Sequence, residues 1–304
     1  MAPQPVAALD VGSNTVHLLV AAPAERGVRE VLRLVAMPRI GAAVNATGAI
    51  GEAKIAEVSA ELRRMAAAAL GEAGAATLLL CATEAVRKAT DRDRALRAFS
   101  EAAGVECVLL PGEAEARLAF RGAVSMAAGD GAALVCDIGG GSTELALGEG
   151  ARIDALVSLP VGSGLATDRW LADDPPSPAQ RAASAAGVRD VLRAAPPAVA
   201  LPRVIATGGT AASLPRLLSR DTESELVAAD LERCRILLGS QPSAAIAATY
   251  GFDPARARVL AGGVEIIDAI RELYGADRVR TTIHGLRTGM ILAYAEKGDR
   301  WVEG

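Results

Sequence analysis

The chain has 304 residues, long enough for two ordinary domains, each with its own core. A formal charge of −4 excludes a general polyanion-binding surface, and only 3% aromatic residues leave little on which nucleic-acid bases could stack. The longest apolar stretch, 6–22, is broken by Asp10, Asn14 and His17, so neither a membrane span nor a signal peptide is expected and the expected compartment is cytoplasmic.

In chain order, residues 6–22 read as a β-hairpin and 28–37 as a third strand, followed by Arg39-Ile40-Gly41 and a polar turn near Asn45-Ala46-Thr47-Gly48. From Glu52 to Leu70, Ile55, Val58, Leu62, Met65 and Ala69 recur at spacings of three and four, the stripe of a one-faced helix. Residues 77–82 read as a buried strand. Thr83 then stands as an N-cap for a helical turn carrying Arg87, and a helix restarts at Thr90 and ends near Gly104. A strand over 105–110, closed by Pro111-Gly112, leads into a helix from Glu113 to about Ala127.

Gly129-Asp130-Gly131 reads as the boundary between a domain of 1–128 and one of 129–304, the last helix of which is allowed to pack back on the first. The second domain repeats the plan: a hairpin over 133–148, a strand over 152–159, a Pro-rich loop at 173–178 and a helix to about Ala194. A strand at 203–206 runs into a small-residue loop, Thr207-Gly208-Gly209-Thr210. The stretch beyond it is poorly legible until a helix at 254–273, a strand at 278–282 and a final helix from about Gly285. Asp10 and Asp137 lie 127 residues apart in similar element orders, the mark of two duplicated α/β domains with a cleft between them. Cys81, Cys107, Cys136 and Cys234 form no C-x-x-C pair and read as small core residues in a reducing compartment.

The two hairpin turns carry the chemistry. Asp10-Val11-Gly12-Ser13-Asn14-Thr15 and Asp137-Ile138-Gly139-Gly140-Gly141-Ser142-Thr143-Glu144 each join two apolar strands, so neither is a loop that feeds a helix N-terminus. Tight turns of Gly12, Ser13, Asn14 and Thr15, and of Gly139, Gly140, Gly141, Ser142 and Thr143, present backbone N–H groups suited to phosphate oxygens. A carboxylate beside phosphate is repulsive unless a hard cation lies between them, which assigns Asp10 and Asp137 to Mg²⁺. The guanidinium groups of Arg39 and Arg87 suit phosphate as well, although a surface arginine explains either equally well. Gly208, in the third small-residue loop, either closes on the phosphate chain or is structural. Glu113 and Glu115 point about 200° apart on a helix, so only one can face a site; acids in a first turn also favour the helix dipole, and that reading is the stronger one on spacing alone. His17 and His284 read as core or hinge residues.

Taken in order, several segments resemble the exopolyphosphatase/guanosine pentaphosphate phosphohydrolase family, within the sugar kinase/actin/heat-shock ATPase superfamily. They are Leu9–Thr15, Ala82–Arg87, Gly112–Leu118, Asp137–Leu145, Ser158–Gly162 and Gly285–Gly289. The resemblance implies two duplicated ribonuclease-H-like, actin-like α/β domains with an interdomain cleft. It implies an enzyme that hydrolyses terminal phosphoanhydride bonds with Mg²⁺ and releases orthophosphate from inorganic polyphosphate, or else converts a pentaphosphate nucleotide. It places the catalytic glutamate at Glu115, assisted by Glu144, and it implies a homodimer. Glu84 stands where Ser is common, and Ile40 where Leu is frequent. The chain as given lacks the helical extensions of longer members, so shorter polyphosphate is expected. The rival readings are a phosphotransferase that uses Thr207–Thr210 for adenosine and a non-catalytic assembly protein of the actin type.

Overall fold

The computed structural model describes residues 3–127, 131–197 and 203–303. The chain forms two compact units, Met1–Ala127 with His284–Gly304, and Ala128–Ile283. The first unit is built on strands β1 (Val6–Val11), β2 (Val16–Pro23), β3 (Val28–Ala36), β4 (Thr77–Ala82) and β5 (Cys107–Leu109). They form one mixed sheet in the order β3-β2-β1-β4-β5, antiparallel through β1–β2–β3 and parallel from β1 through β4 to β5. Helices α1 (Ile40–Thr47), α2 (Glu52–Ala67), α3 (Glu84–Lys88), α4 (Arg92–Ala103) and α5 (Gly112–Met126) complete the N-terminal part, and α2 runs into a π-turn over Ala68–Glu72.

Strand alternation decides what each face of this sheet carries. Ala7, Leu9 and Val11 of β1 pack in one core with Ile55, Val58 and Leu62 of α2 and Phe99 of α4. Val6 and Ala8 face the other core, with Leu118 of α5 and with Met290 and Ile291 from near the C-terminus. Asp10 shares the parity of Val6 and Ala8 at the C-terminal end of β1, so the pleat directs it to the face covered by α5 and the C-terminal helix. Parallel pairing of Asp10 with Cys81 puts the end of β4 beside it.

The second unit contains β6 (Ala133–Ile138), β7 (Thr143–Glu149), β8 (Arg152–Leu159), β9 (Arg203–Thr207), β10 (Glu225–Val227) and β11 (Arg278–Thr281). Its sheet order, β10-β11-β9-β6-β7-β8, repeats the first sheet with β10 added at the far edge. β6–β7–β8 form the antiparallel part and β6–β9–β11 the parallel part, as β1–β2–β3 and β1–β4–β5 do. The helices are α6 (Ser163–Trp170), α7 (Pro178–Val191), α8 (Gly208–Leu217), α9 (Ala228–Ser240), α10 (Ser243–Tyr250) and α11 (Pro254–Leu273). α11 is buried along most of its length, and Gly262 and Gly263 let α6 and α8 approach closely: a Cβ on either would lie 2.7 Å from Ser163 O or 2.3 Å from Thr210 Oγ1.

Several expectations are corrected. The polar turn near residues 45–48 is the end of α1, which Gly48 terminates in the left-handed conformation. Residues 207–210 are not a loop, because Gly208 opens α8. The stretch that was poorly legible holds α8, α9, α10 and β10, and α6 also carried no clear sequence signal. Sequence assigned residues 284–304 to the second domain while allowing the last helix to return. Helix α12 (Leu286–Lys297) and the short 3₁₀ segment Gly298–Glu303 belong to the first unit, where Met290, Ile291 and Trp301 complete the core beneath β1 and β4. Gly129 and Asp130, read as the domain boundary, lie outside the described residues.

α5 and α12 cross at backbone contact. A Cβ on Gly289 would lie 1.8 Å from the Leu118 carbonyl oxygen, and one on Gly122 would lie 2.0 Å from that of Gly285. Gly289→Ala therefore forces the helices apart. It should cost at least about 1–3 kcal/mol, read as a lowered midpoint in denaturant unfolding.

Candidate active site

The turn between β1 and β2 is held from its inner side. Gly12 N–H donates to the Thr15 carbonyl at 2.9 Å and closes the turn. The carbonyls of Ser13 and Asn14 then accept from Gly41 N–H at 2.8 Å and Arg39 N–H at 3.0 Å, at the start of α1. A trans peptide sends its C=O and N–H in opposite directions. With both carbonyls turned toward α1, the N–H groups of Asn14 and Thr15 are directed to the opposite side. Gly41 makes this approach feasible, since a Cβ there would lie 3.0 Å from Ser13 Cβ. Arg39 takes a left-handed backbone, φ 53°, to start the helix at that point.

The turn between β6 and β7 has the same construction. Gly139 N–H donates to the Ser142 carbonyl at 3.0 Å, and the carbonyls of Gly139 and Gly140 accept from Ser163 N–H at 2.9 Å and Leu165 N–H at 2.8 Å, at the start of α6. The peptide N–H groups of Gly140 and Gly141 are thereby directed away from α6. A Cβ on Gly162 would lie 2.6 Å from the Gly140–Gly141 peptide, so only glycine fits.

Not every hydroxyl in these turns faces outward. Thr143 is fully buried and its Oγ1 donates to the Val161 carbonyl at 2.5 Å. Ser13 Oγ donates to Glu84 Oε2 at 3.3 Å. Both hydroxyls act within their own units.

Asp10 lies buried at the end of β1, its Oδ2 accepting from Arg287 Nη1 at 3.0 Å. Burial raises its carboxyl above the ordinary aspartate value, and the charge and hydrogen bond of Arg287 offset only part of that. Oδ1 is buried with no hydrogen-bond partner. An oriented carboxylate oxygen left bare in a dehydrated place is a donor suited to a hard cation. Among the described residues no group of three His, Cys, Asp or Glu side chains is preassembled to hold a metal. One carboxylate with water and substrate oxygens is the way Mg²⁺ is ordinarily held, so Asp10 fits that ion.

Glu113 and Glu115 separate as helical geometry requires. Glu113 is exposed and pairs with Arg117 at 3.4 Å, while Glu115 is buried and pairs with Arg87 Nη1 at 2.8 Å. Arg87 is fixed in turn by the Leu110 carbonyl, to which Nη1 donates at 2.6 Å. The guanidinium assigned from sequence to phosphate thus touches the carboxylate assigned to catalysis.

In the second unit, Asp137 faces Glu144 across the β6–β7 ladder. Glu144 is buried and its Oε1 accepts from Ser158 Oγ at 2.7 Å. Gly208, with φ +91°, brings the start of α8 against Asp137: a Cβ there would lie 2.8 Å from Asp137 Oδ1. Arg256, on α11, crowds the next position, with Nη1 lying 2.2 Å from where a Gly209 Cβ would stand. Burial lowers its guanidinium to about 10, partly opposed by Asp253, so an anion at the start of α8 would relieve it.

Arg256 and Arg287 were not among the sequence candidates. Arg287 lay within a recognised segment, but its pairing with Asp10 spans 277 residues and has no local signal. Arg256 sits in the first turn of a helix, where a basic residue is unfavourable to the dipole. Arg287 holds the same kind of position in α12, so this feature by itself does not single Arg256 out. His284 is buried, with Nδ1 3.3 Å from Thr288 Oγ1. All four cysteines are free and buried, and burial pushes the Cys107 and Cys234 thiols to about 12, which leaves them inert as nucleophiles. No helix among the described residues is long and apolar enough to cross a membrane.

The sequence matches the Ppx/GppA phosphatase family over residues 19–297. It is 32% identical to exopolyphosphatase 2 of Mycobacterium tuberculosis, over 95% of this chain and 98% of that one. Its fold is similar to that of an exopolyphosphatase from Cytophaga hutchinsonii, with a TM-score of 0.85 and 21% identity over 96% of this chain and 98% of that one. It is likewise similar to the Aquifex aeolicus member of the Ppx/GppA protein family, with a TM-score of 0.81 and 23% identity over 97% of this chain and 99% of that one.

The Asp10–Arg287 pair sets a pH-dependent outcome. In Arg287→Gln the offset is lost, and Asp10 titrates still further above its unfolded value. A raised carboxyl favours the folded state below the unfolded pKa and loses that advantage as pH rises through the folded one. Arg287→Gln should therefore destabilise the protein by about 3–5 kcal/mol near neutral pH, and by less as pH falls, in denaturant titrations compared across pH.

Proposed function

The chain belongs to the Ppx/GppA phosphatase family and is a phosphoanhydride hydrolase, and from that premise we propose that it is a Mg²⁺-dependent exopolyphosphatase releasing orthophosphate from the ends of short inorganic polyphosphates. The observation that carries the reading is the shared construction of the two turns. In each, helix-capped carbonyls direct consecutive peptide N–H groups to one side, as a run of phosphoryl oxygens requires. A single anion-binding turn serves many ligands; two of like design in one chain suit a repeating anion.

In this reading Glu115 orients the attacking water and takes its proton as oxygen bonds to the terminal phosphorus. The bridging P–O bond breaks and its electron pair leaves with the shortened chain. Arg87 is a positioning residue, holding one oxygen of Glu115 at 2.8 Å and thereby fixing the carboxylate plane. Glu144, whose Oε1 accepts from Ser158 Oγ, is the fixed carboxylate of the second turn in its own unit. In the first unit Arg39 would supply positive charge toward phosphate and Asp10 would be the carboxylate that holds Mg²⁺; in the second, Arg256 and Asp137 would have those parts. When bound, that ion neutralises phosphate charge. Phosphoryl transfer needs little covalent help from a protein, so alignment and charge neutralisation carry the acceleration.

Glu115→Gln keeps shape and removes the base. It should lower kcat by about two decades or more while KM changes little, measured as orthophosphate release from inorganic triphosphate. Turnover near the wild-type rate would remove Glu115 from this role. Substrate choice is tested by comparing orthophosphate release from triphosphate, long polyphosphate and guanosine pentaphosphate side by side. The expected order puts short polyphosphate first. A clear preference for the nucleotide would transfer the reading to a pentaphosphate phosphohydrolase.

A further inference from the structure

An acid stands at the edge of the first phosphate turn. β4 ends at Ala82, Thr83 turns the chain and Glu84 opens α3. Its side chain is only 11% exposed. Oε2 accepts the hydroxyl of Ser13 at 3.3 Å, and Oε1 is ion-paired with Lys88, one turn along the same helix and half exposed. A carboxylate here works against anion binding in two ways. It engages the Ser13 hydroxyl, and it sets a negative charge beside a turn whose N–H groups would otherwise favour phosphate. Lys88 cancels that charge only in part, since its ammonium is wetter and more strongly screened than the buried carboxylate.

We propose that Glu84 and Lys88 form a charge filter on the β1–β2 turn, a specificity-determining pair that disfavours long polyanionic chains and so favours short phosphates. The inference rests on the reading of that turn as a phosphate site. The field of a buried charge reaches about a Debye length, roughly 10 Å at 0.1 M salt. A long chain keeps more phosphoryl groups inside that radius than a triphosphate does. Glu84 weakens binding and Lys88 strengthens it, so removing either one shifts affinity in opposite directions. A pair retained for helix stability alone would not behave in this way.

The test is equilibrium binding of inorganic triphosphate and of a long polyphosphate, in EDTA, to wild type, Glu84→Gln, Lys88→Gln and the double variant. Binding without Mg²⁺ reads the protein's own charges. Glu84→Gln should tighten the long chain by about 3- to 10-fold and triphosphate by less. Lys88→Gln should weaken both, the long chain more, and the double variant should fall between wild type and Glu84→Gln, still tighter than wild type for the long chain because Lys88 cancels Glu84 only in part. All these shifts should shrink at high salt. Shifts of the same sign, no shift, or shifts indifferent to salt would overturn the filter, as would failure of every variant to bind either phosphate. Should Glu84→Gln prove unfolded by its thermal melt, Glu84→Ser carries the same comparison. Orthophosphate release by the wild type separates the two claims. Opposite shifts in binding without any release keep the filter and remove the hydrolase; release with same-sign shifts does the reverse.

Discussion

Much of this molecule depends on one arrangement, the N-terminal amides of a helix capping the inner carbonyls of a hairpin turn. A tight turn of small residues has no side chains with which to stabilise itself, and its peptide groups would otherwise reorient with solvent. Helix starts have amides without intrahelical acceptors, and turns have carbonyls without ladder partners. Joining the two satisfies both, and because the peptide is planar and trans it also fixes where the remaining N–H groups point. α1 does this for Ser13 and Asn14, and α6 for Gly139 and Gly140. The glycines at 41 and 162 are required by that contact more than by the turns themselves.

Charge follows from the same geometry. Each turn stands at the end of a strand whose last polar residue is an acid. Asp10 is buried at a cost that a neighbouring cation must offset, and the chain supplies that cation from its far end. Arg287 begins α12, the helix that returns to cover β1 and β4, so the C-terminal segment completes the core and the electrostatics of the first unit together. Buried Glu115 and part-buried Arg87 form a second ion pair in the same unit, and Arg87 also donates to the Leu110 carbonyl just beyond β5. In the second unit the corresponding acid, Asp137, meets the start of α8 at Gly208, where a helix N-terminus supplies positive potential.

The fold was legible wherever a local pattern was strong. The paired apolar strands around small-residue turns at 6–22 and 133–148, the spacing of Ile55, Val58, Leu62 and Met65, and the runs 77–82 and 254–273 each state their own secondary structure. What failed was short and rich in small residues. α1, α6 and the start of α8 contain Gly, Ala and Ser in proportions that suit a turn, and for α1 and α6 it is the hairpin carbonyls beside them that hold the first amides. The choice between Glu113 and Glu115 is similar. Their spacing says that one turns in, but Arg87, 28 residues from Glu115, is what meets the buried one.

Sequence by itself determined the duplicated element order, the two acid-headed small-residue turns and the family, because each is written in residues close together along the chain. Only tertiary structure decided which N–H groups face outward, which hydroxyls are already engaged, that Arg287 meets Asp10, and that Glu84 touches Ser13. Those outcomes depend on contacts between residues distant in the chain, where no periodicity or spacing carries information. The pleat set the face each strand residue shows, and packing set what stood opposite.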